Sequence, residues 1–263
     1  MTRRWFLRWM ATSGFTIGTW YLASKSFGSS MFLDAKSLAD SKEIPTTVSI
    51  VKGKDLYSMT RSALNAIGGI SSVIKPRDSV FIKPNYNNLP WASETRDVIN
   101  DGACTKPEVV LAVAEECLKA GASKVMIGES DHSLFFESSV VASGRKYDSK
   151  WFLAHTLDGK DNLAEGVTRL NKTYGDRISL KNMNASTPYW VFVPSRTSLG
   201  KIAVSSLVKE ADKIVSVPVL KTHATTAVTI SLKNFMGVTP TWLYGSPRLK
   251  LHDAGVEQCF LDV

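Results

Sequence analysis

Three polar clusters each follow directly on a short apolar run: Lys83-Pro84-Asn85, Gly128-Glu129-Ser130-Asp131 and Lys221-Thr222-His223. Lysine ammonium groups are compact charges on flexible stems, suited to carboxylate or phosphate groups. A neutral imidazole at His223 can move a proton or ligate a metal. Glu129 and Asp131 offer the oxygen donors that a divalent cation prefers. Lys233-Asn234 lies close in sequence to the third cluster and adds a cation and an amide. The expected site therefore has Lys83, Asn85, Lys233 and Asn234 binding a substrate, Lys221 and His223 in catalysis, and Glu129 with Asp131 holding a metal. Each residue also has a plainer reading. The lysines can be solvated surface charges, the asparagines turn residues, His223 a structural histidine, and the two carboxylates caps for a following helix.

In an open parallel sheet, ligands bind outside the carboxyl ends of the strands. The clusters meet only if the runs before them are parallel neighbours. Residues 80–83, 124–127 and 213–220 read as strands, and 48–51 as an earlier one. Helices are expected over residues 56–67, stopped by Gly68-Gly69, and over 106–120, with Thr105 and Glu108 as a capping box and Gly121 after its end. A strand–helix–strand order implies a parallel crossover. Residues 133–143 and 163–173 read as helices, 178–180 and 189–193 as strands, and 205–211 as a short helix. The stretch between the second and third clusters suggests an inserted antiparallel subdomain. Residues 225–237 satisfy both a strand alternation (Val228, Ile230, Leu232) and a helical stripe (Val228, Leu232, Phe235, Met236). Residues 84–103 show little periodicity and read as a long loop. The fold class is α/β, a mostly parallel sheet with flanking helices.

The formal charge of +8 over 263 residues suggests an anionic partner until it is located. Half of it belongs to residues 1–42, so the rest carries no basic stripe of the kind that binds nucleic acid. Cys104, Cys117 and Cys259 are scattered, and an iron–sulfur cluster needs four gathered thiolates, so no iron–sulfur motif is present. There is no glycine-rich nucleotide loop, no zinc-protease motif and no nucleophile elbow. His155 and His252 have no chemical context and read as surface residues.

Thr2-Arg3-Arg4-Trp5-Phe6-Leu7-Arg8 resembles the twin-arginine export signal, with Arg3, Arg4, Phe6 and Leu7 at its defining positions. The following segment is short and diluted by polar residues, and no clean small-residue cleavage site follows. Residues 1–42 are thus expected to be a leader and spacer, cleaved or retained as a membrane anchor, with the twin-arginine translocase as partner. Residues 43–263 are expected to form a single α/β domain in the periplasm or another extracytoplasmic space. Export of a folded protein is compatible with a bound cofactor.

Five segments together resemble the domain of unknown function 362 family: Phe81-Ile82-Lys83-Pro84-Asn85, Thr105-Lys106-Pro107-Glu108, Ile127-Gly128-Glu129-Ser130, Val217 through His223, and Ser231 through Gly237. The resemblance spans residues 80–237, and its last two segments are the specific part. Some members carry an appended ferredoxin-like domain, which is not seen here. Members usually continue further, so the apolar run Cys259-Phe260-Leu261-Asp262-Val263 reads as an unfinished element of a truncated chain. The resemblance leaves the activity open. An enzyme acting on a small carboxylate- or phosphate-bearing molecule is the first expectation. A non-catalytic ligand-binding protein and an electron-transfer or maturation subunit are the alternatives.

Overall fold

Apolar runs buried on both sides are what a parallel sheet requires, and this chain builds its sheet from them. In the computed structural model, which describes residues 47–86, 102–130, 162–223, 226–245 and 248–263, helix α1 (Leu56–Ala66) is followed by β1 (Ser79–Pro84). Then come α2 (Pro107–Lys119), β2 (Lys124–Glu129), α3 (Leu163–Tyr174) and β3 (Ile178–Asn182). A one-turn helix α4 (Met183–Ser186) leads into the antiparallel hairpin β4 (Trp190–Pro194) and β5 (Lys201–Ser205). After α5 (Ser206–Lys209), β6 (Lys213–Val217) returns to the main sheet. A small hairpin β7 (Lys221–His223) and β8 (Ala227–Thr229) precedes α6 (Ser231–Asn234) and a 3-10 turn at Phe235–Val238. Helices α7 (Thr241–Tyr244), α8 (Leu249–Asp253) and α9 (Val256–Asp262) end the described chain. All belong to one compact unit, Val48–Val263.

The main sheet has the order β3-β2-β1-β6, parallel throughout, with Ile82 opposite both Ile127 and Val215. Successive side chains take opposite faces. Val80, Ile82, Val125 and Ile127 therefore pack with α2 and α3, through Val110, Leu111, Leu163 and Leu170. Phe81 and Met126 pack on the other face against Ile202 and Val204 of the hairpin, Met236, and Leu251 and Cys259 of the last helices. The antiparallel β4–β5 element is thus a cover for one face of the sheet.

Several expectations need correction. Residues 48–51 form no strand among the described residues, and Val48 and Ile50 are 75% and 91% exposed. β-branched residues favour a strand only where a sheet surface can take them. Thr105 does not cap α2: Lys106 is the cap residue and makes no side-chain capping bond. The Thr105 hydroxyl serves the sheet instead, as described below. Residues 225–237 resolve into both readings in turn, a strand over Ala227–Thr229 and a helical turn over Ser231–Asn234. The run Cys259-Phe260-Leu261-Asp262-Val263 lies on and just after α9, with Cys259 fully buried. The expected helix at 133–143, most of the loop 84–103 and the leader lie outside the described residues. No helix among the described residues is long and apolar enough to cross a membrane.

Candidate functional site

The parallel register brings the ends of β1, β2 and β6 side by side, so the sequence clusters beyond them meet at one edge. At its base lies an ion pair. Lys83 is fully buried, and its ammonium donates to the Glu129 carboxylate and, at 2.6 Å, to the Pro84 carbonyl. Glu129 Oε2 also accepts from the Tyr86 amide at 3.0 Å, and Oε1 from the Ser130 amide at 3.1 Å. Burial lowers the pKa of Lys83. Arg248 and Lys221 push it the same way, and Glu129 opposes them. Gly237 covers this pair so closely that a Cβ there would overlap Glu129 Oε1 and sit 2.5 Å from Lys83 Nζ. Only glycine leaves room for that approach.

Two asparagines tie the strand ends together. Asn234, 2% exposed, donates from Nδ2 to the Lys83 carbonyl at 2.7 Å and to Ser216 Oγ at 3.1 Å. The Asn85 amide side chain donates to Asn234 Oδ1 at 3.4 Å, and its own Oδ1 accepts from the Lys221 ammonium at 2.9 Å. Lys221 also donates to the Ala103 carbonyl. Thr105 closes the frame: its hydroxyl accepts from the Asn85 amide at 2.8 Å and donates to the Val217 carbonyl at 2.8 Å. One side chain thereby links the exits of β1 and β6.

Above this frame the charge is cationic. Lys233, on the turn that carries Asn234, is partly buried, and among the described residues its ammonium makes no hydrogen bond or ion pair. Burial, then the charges of Lys221 and Arg248, hold its ammonium down to a pKa of about 8, with Glu129 opposing. Arg248 is 4% exposed. Its guanidinium donates from Nη2 to the Ser130 carbonyl at 2.6 Å and to the Thr239 carbonyl at 3.3 Å, from a left-handed backbone (φ 62°) just before α8. His223 lies parallel to His252, with ring centroids 5.7 Å apart and planes inclined by 5°. Burial, then Lys233, His252 and Lys221, hold His223 down to about 4, so it is a neutral imidazole at ordinary pH. Burial and Lys233 also lower the pKa of His252, and among the described residues its buried Nδ1 has no hydrogen-bond partner.

The structure thus brings Lys83, Asn85, Glu129, Lys221, His223, Lys233 and Asn234 to one edge, while Asp131 lies outside the described residues. Two of them differ in role from the expectation. Lys83 faces Glu129 rather than a solute, and both oxygens of Glu129 are engaged by protein donors. Among the described residues no group of three potential metal ligands gathers, and the expected partner of Glu129, Asp131, lies outside them. Arg248 and His252 are additions. His252, expected at the surface, is drawn in by the neighbouring Leu251, whose fully buried side chain docks α8. Neither residue sits in a local motif. The fold brings them from the far end of the chain.

A parallel α/β sheet with a cationic, amide-framed cluster at its strand ends defines the class. Residues 80–263 match the family described as Domain of unknown function (DUF362), and the chain belongs to it. It is also similar to the thylakoid-associated protein sll1697 of Synechocystis sp. (strain ATCC 27184 / PCC 6803 / Kazusa), 27% identical over 185 residues. The match takes in 70% of this chain and 46% of that protein, so the chain spans about half the length of the curated relative.

Proposed function

We propose that this protein is an enzyme acting on a small carboxylate- or phosphate-bearing molecule at the carboxyl edge of the parallel sheet. The observation that carries the reading is the charge balance of the cluster. Lys221 and Arg248 both act on Lys233 there, while Glu129, the carboxylate that acts on Lys233, is already paired with Lys83. Like charges brought together in a partly desolvated place destabilise the fold unless a ligand supplies the opposite charge. Lys221 and Arg248, each fixed by acceptors of the protein, then provide positioned charges for the anion. Asn85 and Asn234 set the frame in which Lys221 sits. Lys83 and Glu129 position the strand ends and touch no ligand.

His223 supplies the chemistry. Burial first, and then the surrounding cations, keep it neutral, and an incoming anion offsets the cations' repulsion and raises its affinity for a proton. Ligand binding thus converts His223 into a better proton acceptor at the moment a substrate is present.

The test is a thermal-shift series with phosphate, pyrophosphate, citrate and pyruvate, followed by mass spectrometry for product. An anion held at about 100 times its Kd adds about 2.7 kcal/mol, which for a domain of this size raises Tm by roughly 5–10 °C. Stabilisation that Lys221→Met abolishes supports the reading. Failure of every anion to stabilise overturns it, and stabilisation without product, across the natural carboxylates and phosphates of a cell extract, reduces it to ligand binding.

Export through the twin-arginine translocase remains part of the proposal, supported by the heptapeptide Thr2-Arg3-Arg4-Trp5-Phe6-Leu7-Arg8. Its leader would also provide a membrane contact, in keeping with the thylakoid association in the relative's name. Replacing Arg3 and Arg4 by Lys should retain the protein in the cytoplasm. Unchanged fractionation would refute export by this route.

A further inference from the structure

The three cations of the cluster are not equivalent. Lys221 is held by the Asn85 side chain and the Ala103 carbonyl, and Arg248 by the Ser130 and Thr239 carbonyls. Their charges are stabilised by acceptors built into the frame. The Lys233 ammonium has no hydrogen bond or ion pair among the described residues, although the side chain of the next residue, Asn234, ties this turn to β1 through the Lys83 carbonyl. Among the described residues the chain thus holds this amine in place while giving its proton no acceptor. Lys83 shows the contrast: it is equally surrounded by cations, but it is fully buried and paired with Glu129, hence closed to a ligand.

A lysine beside other cations and partly removed from water is the environment that activates an amine as a nucleophile. We propose that Lys233 is the reacting amine of this site and forms a Schiff base with the carbonyl group of a small 2-oxo acid, whose carboxylate docks on Lys221 and Arg248. The inference rests on the anion-binding reading above and names the substrate class for it. The step balances without a further reactant. One proton leaves the Lys233 ammonium for His223, and the freed Nζ electron pair forms the C–N bond as the carbonyl π pair moves to oxygen. That oxygen takes the proton back from His223 and a second proton from nitrogen. It then leaves as water, and the iminium retains the positive charge. The groups that act on Lys233 are all in place for this: Lys221 and Arg248 disfavour its ammonium, and Glu129, which would favour it, is paired with Lys83. His223 and His252 both feel its charge and are themselves held neutral. A pKa of about 8 puts about one Lys233 in ten in the neutral form at pH 7, against roughly one in 3,000 for an ordinary lysine.

The experiment is reductive trapping of the full-length protein at pH 7 with limiting glyoxylate or pyruvate and cyanoborohydride, with and without excess inorganic phosphate. Peptide mass spectrometry gives the rate at each lysine. The expected result is carboxymethyl or carboxyethyl label on Lys233 at least about 30-fold faster than on exposed lysines such as Lys250, and slowed at least about tenfold by phosphate. Labelling of Lys233 no faster than the exposed lysines overturns the inference. If phosphate and pyruvate still raise Tm in that case, the anion site survives and only the amine chemistry falls. Fast labelling that phosphate does not slow, with no Tm response to either anion, overturns the 2-oxo acid assignment and the anion site together. Lys233→Arg, which keeps the charge, should retain a Tm response to phosphate while losing all label on that peptide. A Tm response lost in a folded Lys233→Arg protein would show that Lys233 is a binding cation and overturn its role as the reacting amine.

Discussion

Replacing Glu129 by Gln leaves the Lys83 ammonium fully buried with no counter-charge, facing only neutral acceptors, the Pro84 carbonyl at 2.6 Å and the new amide oxygen. Removing one partner of a buried ion pair typically costs about 3–5 kcal/mol. An independent ceiling agrees. Lysine can escape an unpaired charge by losing its proton, and doing so at pH 7 from an ordinary value of 10.5 costs about 5 kcal/mol. The loss should therefore saturate near that figure. It also carries a pH signature. Burial already lowers the pKa of Lys83 in the folded state, and removing Glu129 lowers it further, so between the folded and unfolded values the unfolded chain binds more protons. Stability then rises with pH across that window, and the deficit of Glu129→Gln shrinks as pH climbs from 7 toward 10. Urea unfolding of the full-length protein at pH 7, 8.5 and 10 measures this directly. The double variant Lys83→Met, Glu129→Gln should recover most of the loss, because no charge remains to bury. A cost below about 1 kcal/mol, or a deficit that does not change with pH, would refute the reasoning, since it would mean that Lys83 reaches water.

Three further outcomes follow from the same frame. Thr105→Val removes one acceptor and one donor from buried backbone groups at Asn85 and Val217, which should cost roughly 2–4 kcal/mol; a capping role would cost only about 1 kcal/mol, and denaturant titration separates the two. Gly237→Ala forces a methyl group into the Lys83–Glu129 pair and should cost at least about 1–3 kcal/mol, whereas an unchanged unfolding midpoint would show that the approach is not tight. For His223, the folded value of about 4 lies below the ordinary 6.5, so its contribution to stability is present above pH 6.5 and is lost as pH falls from there through 4. Proton NMR of the imidazole should show no titration between pH 5.5 and 8 in the free protein, and a midpoint near 6.5 would contradict the crowding by Lys233, His252 and Lys221.

What could be read from the sequence was what local pattern encodes. The runs before Lys83, Glu129 and Lys221 are apolar at successive positions, which a parallel strand buried on both faces requires, and they proved adjacent. Helix α2 was legible from its stripe of Val110, Val113, Cys117 and Leu118. Thr105 was misread because the spacing to Glu108 is a local signal, whereas its hydroxyl partners at Asn85 and Val217 are set by sheet order, 20 and 112 residues away. Lys83 and Lys221 carried equal weight as strand-end cations. The register decides between them, placing a carboxylate against the first and amide and carbonyl oxygens against the second. Arg248 enters from beyond the sheet on a left-handed residue that no pattern announces, and His252 follows it on a helix of five residues. Residues 48–51 show the reverse error, a strand-like composition with no sheet to receive it.

The central claim, an anion site at the carboxyl edge of the sheet, is tested most directly by calorimetric titration of inorganic sulfate, a dianion at both pH values, into the wild-type protein at pH 6.5 and pH 9.5. Lys233 loses its charge on passing through a pKa of about 8, so the affinity should fall between these two conditions. Lys221→Met should weaken binding at both. No measurable binding at either pH, or an affinity indifferent to Lys221, would contradict the account.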